Sequence, residues 1–223
     1  MDGNGRWAKR RLLPRKAGHR AGARNLRRLC QMCGDAGIKY LTVYAFSTEN
    51  WKRPPDEVSA LMALFIEFLQ SYDAEMEKEG IRLRIMGDVA GLPDDVRQAI
   101  REAEDRSKDR TRLQLILALN YGGRAEIVHA VKSISEKVSS GELAAEDITE
   151  DLLKTHVYLP DVPDPDLIIR PSGEYRLSNF LLWQSAYSEL WFSNVLWPDF
   201  KQRDFDQALS SFAARDRRFG GVK

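Results

Sequence analysis

The sequence predicts an α/β fold, a single domain with a largely parallel central sheet flanked by helices. Short apolar runs of strand length alternate along the chain with amphipathic stretches of helical length, which is the order of βαβ units. At 223 residues and 43% hydrophobic, the chain can bury one sizeable core and is too short for two full domains. No internal repeat, low-complexity tract or linker breaks the alternation, so residues 1–223 are read as one domain.

The elements follow in order. Leu26, Leu29, Cys30 and Cys33 fall at helical spacing in a helix from about Ala21 to Ala36, which Gly37 ends. Tyr40 to Phe46 is a short, β-branched and aromatic run, as expected of a buried strand. After the polar loop Ser47–Arg53, Pro55-Asp56-Glu57 opens a long helix to about Lys78 with an apolar face of Leu61, Met62, Leu64, Phe65, Phe68 and Leu69. Gly80 ends it. Ile81–Met86 reads as a strand, Pro93–Lys108 as a helix, Leu113–Leu119 as a strand and Glu126–Val138 as a helix. A helix from about Glu150 to His156 precedes the strand Leu167–Ile169, and a Trp- and Phe-rich segment leads to a last helix from about Asp204 to Ala214. In such a sheet ligands bind outside the carboxyl ends of the strands, so Ser47–Arg53, Asn120–Arg124 and Arg170–Ser178 should converge there. A sheet that opens on a functional loop should carry a strand before it, so a first strand ahead of Met1 is expected, missing from the sequence above.

The formal net charge of +1 argues against a protein that coats nucleic acid. The charge is uneven, however. Arg6, Lys9, Arg10, Arg11, Arg15, Lys16, Arg20, Arg24, Arg27 and Arg28 face a single acid, Asp2, before Asp35. That field suits RNA, an acidic membrane surface or a small polyanion, and a solvated helix face explains some of it. No apolar run approaches the ~18 to 20 residues that span a bilayer, and no signal peptide is visible, so a cytoplasmic or peripheral location is expected. Cys30-x-x-Cys33 lacks the neighbouring histidines of a zinc site and the strand–helix junction of a redox pair; two buried helix residues is the better reading.

Met1-Asp2-Gly3-Asn4-Gly5-Arg6-Trp7 packs a carboxylate, two glycines, an amide, a guanidinium and an indole into seven positions. A carboxylate can hold a divalent cation, glycines let backbone N–H groups approach an anion, and arginine forks onto phosphate oxygens. Asp-Gly and Asn-Gly are also ordinary turn pairs. The blocks that follow in order are Gly18-His19, Ala45-Phe46-Ser47-Thr48-Glu49-Asn50-Trp51-Lys52-Arg53-Pro54, Asn120-Tyr121-Gly122-Gly123-Arg124, Asp166-Leu167-Ile168-Ile169-Arg170 and Gly173-Glu174-Tyr175-Arg176-Leu177-Ser178-Asn179-Phe180. Together with Trp197-Pro198-Asp199-Phe200 and Arg217-Arg218-Phe219-Gly220-Gly221, this succession closely resembles the cis-prenyltransferases over essentially the whole chain.

The resemblance implies a homodimer that condenses isopentenyl diphosphate onto an allylic diphosphate such as farnesyl diphosphate, with Z stereochemistry and Mg2+. It implies a long-chain product, undecaprenyl diphosphate for a cell-wall lipid carrier, with a shorter-chain Z-prenyl diphosphate synthase as the alternative, transient membrane association for product release, and no nucleic-acid partner. By matching positions, Asp2 and Asn50 are catalytic, and Asp2 and Glu189 engage the metal. Gly3, Asn4, Gly5, Arg6, Trp7, Arg15 and His19 hold the allylic diphosphate, while Arg170, Arg176 and Ser178 hold isopentenyl diphosphate. Ser47, Glu49, Trp51 and Arg53 belong to a mobile substrate loop, and Ala45, Ile81 and Leu113 to a tunnel for the growing chain. From periodicity alone the tunnel positions are ordinary sheet and helix contacts. The Arg-Phe-Gly-Gly tail resembles a segment that reaches a partner's site.

Two features depart from the family pattern: Pro171 follows the first clamp arginine and removes a backbone N–H, and Trp191 stands where tyrosine or another aromatic is common. Asp161, Asp164 and Asp166 read as a solvated loop rather than an aspartate-rich metal box, and His129 and His156 as structural or exposed. Two other classes compete with the enzyme. A non-catalytic subunit would be expected to lack the metal carboxylate, which Asp2 supplies. An RNA-binding module would need a recognition signature that does not accompany the basic segment.

Overall fold

The computed structural model describes residues 1–215. Seven helices are described, α1 (Asn4–Arg10), α2 (Arg15–Asp35), α3 (Pro55–Lys78), α4 (Asp94–Ser107), α5 (Gly123–Ser139), α6 (Glu150–Lys154) and α7 (Gln202–Ala213). Five strands lie among them, β1 (Tyr40–Ser47), β2 (Ile81–Met86), β3 (Leu113–Tyr121), β4 (Leu167–Arg170) and β5 (Glu189–Phe192), with β1 to β3 alternating with helices. All strand pairing is parallel. It falls into a three-stranded sheet ordered β1-β3-β2 and a two-stranded sheet of β4 and β5. Among the described residues β1 and β4 each keep one edge without a partner strand.

Strand β3 is buried on both faces, as the central strand of a parallel sheet must be. Leu113, Leu115, Leu117 and Leu119 enter the main core with the apolar faces of α2, α3 and α4. Ile116, Ala118 and Tyr121 enter a second cluster with Met86 and Leu181 on the opposite face. Helix α3 contributes Val58, Met62, Phe65, Phe68, Leu69, Tyr72 and Met76, spaced three and four apart, so a single face is sealed. Cys30 and Cys33 are free and buried on α2, in line with the expectation of two core residues. Burial holds both thiols unionised, Cys33 being pushed up to about 12.

Three elements differ from the sequence expectation. Helix α2 starts at Arg15, six residues earlier than expected, because Pro14 presets an extended N-cap and the basic first turn has no apolar period to read. Helix α1 was expected as a loop, and only Ala8 of it is buried. The edge strand β5 has four residues, too few to show alternation. The loop after β1 forms a short 3-10 helix, Thr48–Lys52. In the β1–β3 register Ser47 stands opposite Tyr121, which brings the carboxyl ends of the two strands level. The loops that follow them therefore open at the same end of the sheet.

Candidate functional site

The first wall of the site is the turn into α1. Gly3 takes φ 92, a left-handed conformation, and a Cβ there would lie 2.4 Å from Ser172 Oγ. That closeness lets Ser172 Oγ donate to the Asp2 carbonyl at 2.5 Å, while the Trp197 N–H donates to the same oxygen at 3.0 Å. With its backbone fixed, the Asp2 carboxylate accepts the Gly3 N–H at 2.6 Å and pairs with Arg170 at 3.1 Å and Arg6 at 3.5 Å. Burial opposes its ionisation, but the Gly3 N–H and the Arg170 and Arg6 guanidiniums outweigh burial and hold the carboxyl below its ordinary range. Helix α2 crosses α1 at Gly18 and Gly22, where added Cβ atoms would meet Asn4 at 2.1 and 2.5 Å. The crossing leaves Asn4 Oδ1 and His19 Nε2 buried without a hydrogen-bond partner. Buried polar groups of this kind are commonly satisfied by water or by a bound ligand.

The second wall is the loop after β4. Arg170 Nη1 donates to Ser178 Oγ at 2.9 Å and to the Arg176 carbonyl, so the two sequence-matched arginines share one turn. Ser172, Ser178, Asn179 and Leu181 all have positive φ, an unusual density of strained non-glycine backbone. Arg176 is largely exposed and pairs with Glu174, which also takes Arg6 at 3.0 Å. The third wall is the 3-10 turn. Ser47 caps it, Asn50 Oδ1 accepting the Ser47 N–H at 3.1 Å, and Trp51 packs edge-on against Phe46 while donating to Asn120 Oδ1 at 2.8 Å. Glu49 accepts from Asn179 at 2.8 Å, which ties this turn to the second wall.

These walls enclose a cavity of about 1060 Å3. Asp2, Asn4, His19, Ser47, Glu49, Asn50, Arg53, Arg170, Arg176 and Ser178 line its polar part. Ala45 and Leu61 line its apolar part together with the length of β1 and β4. Some expected positions lie elsewhere. Ile81 and Leu113 are 1% and 0% exposed in the main core and do not line the cavity, because they pair at the amino ends of β2 and β3. Glu189 opens β5 opposite Leu167, whereas Arg170 stands opposite Phe192 at the other end, and Glu189 pairs with Arg215. Within one chain it is therefore about 10 Å along the strand from the level of Asp2's partner. Trp7 points to Asp199, donating at 2.8 Å, and stacks under Arg11. Gly5 lies against the Arg15 side chain. The C-terminal Arg-Phe-Gly-Gly lies outside the described residues.

Sequence reasoning missed Glu57, the carboxylate that organises the free cations here. It takes Arg15 at 2.9 Å, Arg53 at 2.9 Å and stands 3.7 Å from His19 Nε2. Its place in the first turn of α3 was legible, but nothing local in the sequence joined it to α2. Ser172 was also missed. His19 is held below its usual imidazole range, chiefly by burial, against the pull of Glu57. The folded protein then binds fewer protons than the unfolded chain, so stability is full above about pH 6.5 and falls as pH drops through that value toward the folded one. His19→Gln should flatten that part of the stability curve in denaturant melts across pH 5 to 8. An unchanged curve would show that His19 titrates alike in both states.

Comparison with known proteins matches residues 1–220 to the family model described as "Putative undecaprenyl diphosphate synthase". The chain is 53% identical over 223 residues to an isoprenyl transferase of Clostridium perfringens, covering 100% of this chain and 88% of the relative. It is 53% identical over 222 residues to an isoprenyl transferase of Bacillus subtilis, covering 100% and 85%. The crystal structure of lavandulyl diphosphate synthase from Lavandula x intermedia, in complex with dimethylallyl diphosphate, superimposes with a TM-score of 0.95 at 38% identity, over 99% of this chain and 95% of that one. A probable undecaprenyl diphosphate synthase from Campylobacter jejuni superimposes with a TM-score of 0.80 at 38% identity, over 90% and 92%.

Proposed function

The chain belongs to the undecaprenyl diphosphate synthase family of cis-prenyltransferases, and from that premise we propose that it elongates farnesyl diphosphate with isopentenyl diphosphate into a long-chain Z-polyprenyl diphosphate, undecaprenyl diphosphate for the cell-wall lipid carrier. The observation that carries this reading is one cavity of about 1060 Å3 whose lining holds Asp2, Asn4, His19, Arg170 and Arg176 together with apolar residues such as Ala45 and Leu61. A diphosphate bearing a hydrocarbon tail needs both environments in one enclosure. In the reaction the allylic carbon–oxygen bond breaks, the isopentenyl alkene forms the new carbon–carbon bond, diphosphate departs, and a proton leaves the isopentenyl unit.

The turn into α1 takes the allylic diphosphate. Gly3 and Gly5 keep side chains away from it, and the Asn4 and His19 side chains line the same cavity. Arg6 and Arg15 are released to the phosphate oxygens when they exchange Glu174 and Glu57 for the ligand. The loop after β4 takes isopentenyl diphosphate through Arg170, Arg176 and Ser178. Asn50 and Trp51 sit on the capped turn that aligns the two substrates, with Asn50 acting as an amide donor or acceptor rather than a base. Asp2 fits a Mg2+ site: it is ionised, 37% exposed and at the cavity wall, and Mg2+ takes one or two protein carboxylates with substrate phosphates completing the shell. When bound, the ion offsets charge gathering on the departing diphosphate. The working form is a homodimer that touches the membrane transiently to release product. No helix among the described residues is long and apolar enough to cross a membrane.

The deciding experiment is incubation with farnesyl diphosphate, labelled isopentenyl diphosphate and Mg2+, followed by sizing of the product. A long-chain product supports the reading, a short one overturns its length, and none overturns the activity. Arg176→Ala should raise the KM for isopentenyl diphosphate roughly tenfold or more with a smaller change in kcat, the loss expected for one charge-assisted contact. A KM increase confined to farnesyl diphosphate would reverse the assignment of the two diphosphate clamps.

A further inference from the structure

The turn joining α1 to α2 has a surface that the chemistry of the cavity does not use. Every residue from Lys9 to Lys16 is exposed. Leu12 is 96% exposed and Leu13 43%. Leu12 has φ 54, and the turn closes α1 as a Schellman cap: the Leu12 N–H donates to the Lys9 carbonyl at 3.2 Å and the Leu13 N–H to the Ala8 carbonyl at 3.0 Å. Glycine is the usual residue at this position because a side chain there is strained. Here a leucine takes the strain and its side chain meets only solvent, so nothing inside the fold explains it.

The leucines are flanked in the chain by cations, Lys9, Arg10 and Arg11 before them and Arg15 and Lys16 after, all exposed. Arg11 and Arg15 pair with Asp199 and Glu57, but Lys9, Arg10 and Lys16 form no ion pair with any described residue. An apolar tip in a basic collar is the pattern of a surface that meets anionic lipid. RNA would use the cations and leave the leucines in water, whereas a membrane uses both. The position is apt too, since α1 is seven residues long, so the turn lies about 10 Å from the Asp2-Gly3 wall of the cavity.

We propose that the turn of residues 9–16 docks the protein on an anionic bilayer, with Leu12 and Leu13 entering the headgroup layer and Lys9, Arg10 and Lys16 contacting lipid phosphates. This rests on the membrane contact read into the function above and names the surface that makes it. Vesicles of phosphatidylcholine, with and without phosphatidylglycerol, test it by co-sedimentation at low salt. The protein should sediment with the anionic vesicles and not with the neutral ones. Leu12→Gly, which relaxes the turn and should keep the melting temperature, should weaken binding about tenfold, as expected for losing one inserted leucine side chain. Lys9→Gln with Arg10→Gln should weaken it by about fivefold per charge. Vesicle binding by Leu12→Gly equal to wild type, or heparin binding with no sedimentation of either protein, would reduce the turn to a polyanion patch and overturn the proposal. Turnover of farnesyl diphosphate in detergent separates the two readings. A protein that turns over but does not sediment sinks the docking surface alone. One that sediments through Leu12 without turning over keeps the surface and loses the function.

Discussion

Asp2→Ala should lower kcat by roughly two to three orders of magnitude while leaving the fold in place. The separation of the two effects follows from which atoms do what. The Asp2 backbone carbonyl, which alanine retains, holds the turn against Ser172 and Trp197. Alanine removes only the carboxylate, and its partner Arg170 has further bonds to Ser178 and the Arg176 carbonyl to hold it. The carboxyl is held below its ordinary range, so it is charged throughout the neutral region and the loss should not vary with pH there. Asp2→Asn should be nearly as inactive as alanine, since an amide keeps the shape and loses the charge. Steady-state kinetics with Mg2+ varied, alongside a thermal melt, would read both effects; near-normal turnover of either variant would remove Asp2 from the metal site.

Gly18→Ala should be the most damaging small substitution in the support of the site. The added Cβ would lie 2.1 Å from the Asn4 carbonyl oxygen and 2.8 Å from its carbon, and both belong to backbone that cannot rotate away. Helices α1 and α2 would have to separate, at a cost of about 1 to 3 kcal/mol for overpacking. In a chain of this length that lowers the melting temperature by roughly 2 to 4 °C per kcal/mol. Because Asn4 moves with α1, the KM for farnesyl diphosphate should rise as well. A melting temperature and KM both unchanged would mean the crossing is looser in solution than its distances imply.

How much of this was legible depended on whether a residue's partner was local. Strand β1 declared itself through a dense β-branched and aromatic run, β2 and β3 as short apolar runs between helical stretches, and α3 through Pro at its start and an apolar face three and four apart. Helix α1 did not, because only Ala8 of it is buried and so no apolar period marks it. The polar loops were expected to converge, and hydrogen bonds such as Glu49 to Asn179 and Trp51 to Asn120 join them. What the sequence withheld is pairing between distant elements. Glu57 is unremarkable on its helix until α2 brings Arg15 and His19 beside it. Ile81 and Leu113 look like any strand residues, and their place at the amino ends of the strands, away from the cavity, appears only in the register.

The tie between the Asp2 turn and the far end of the chain also bears on how the protein is made. The Asp2 carbonyl waits for Ser172 and Trp197, and the Trp197 indole in turn donates to the Gly22 carbonyl at 2.9 Å. At translation speeds of about 5 to 20 residues per second, the opening segment leaves the ribosome roughly 10 to 40 seconds before its supports exist. A nascent chain arrested before Trp197 therefore carries the Asp2 turn without the means to hold its shape.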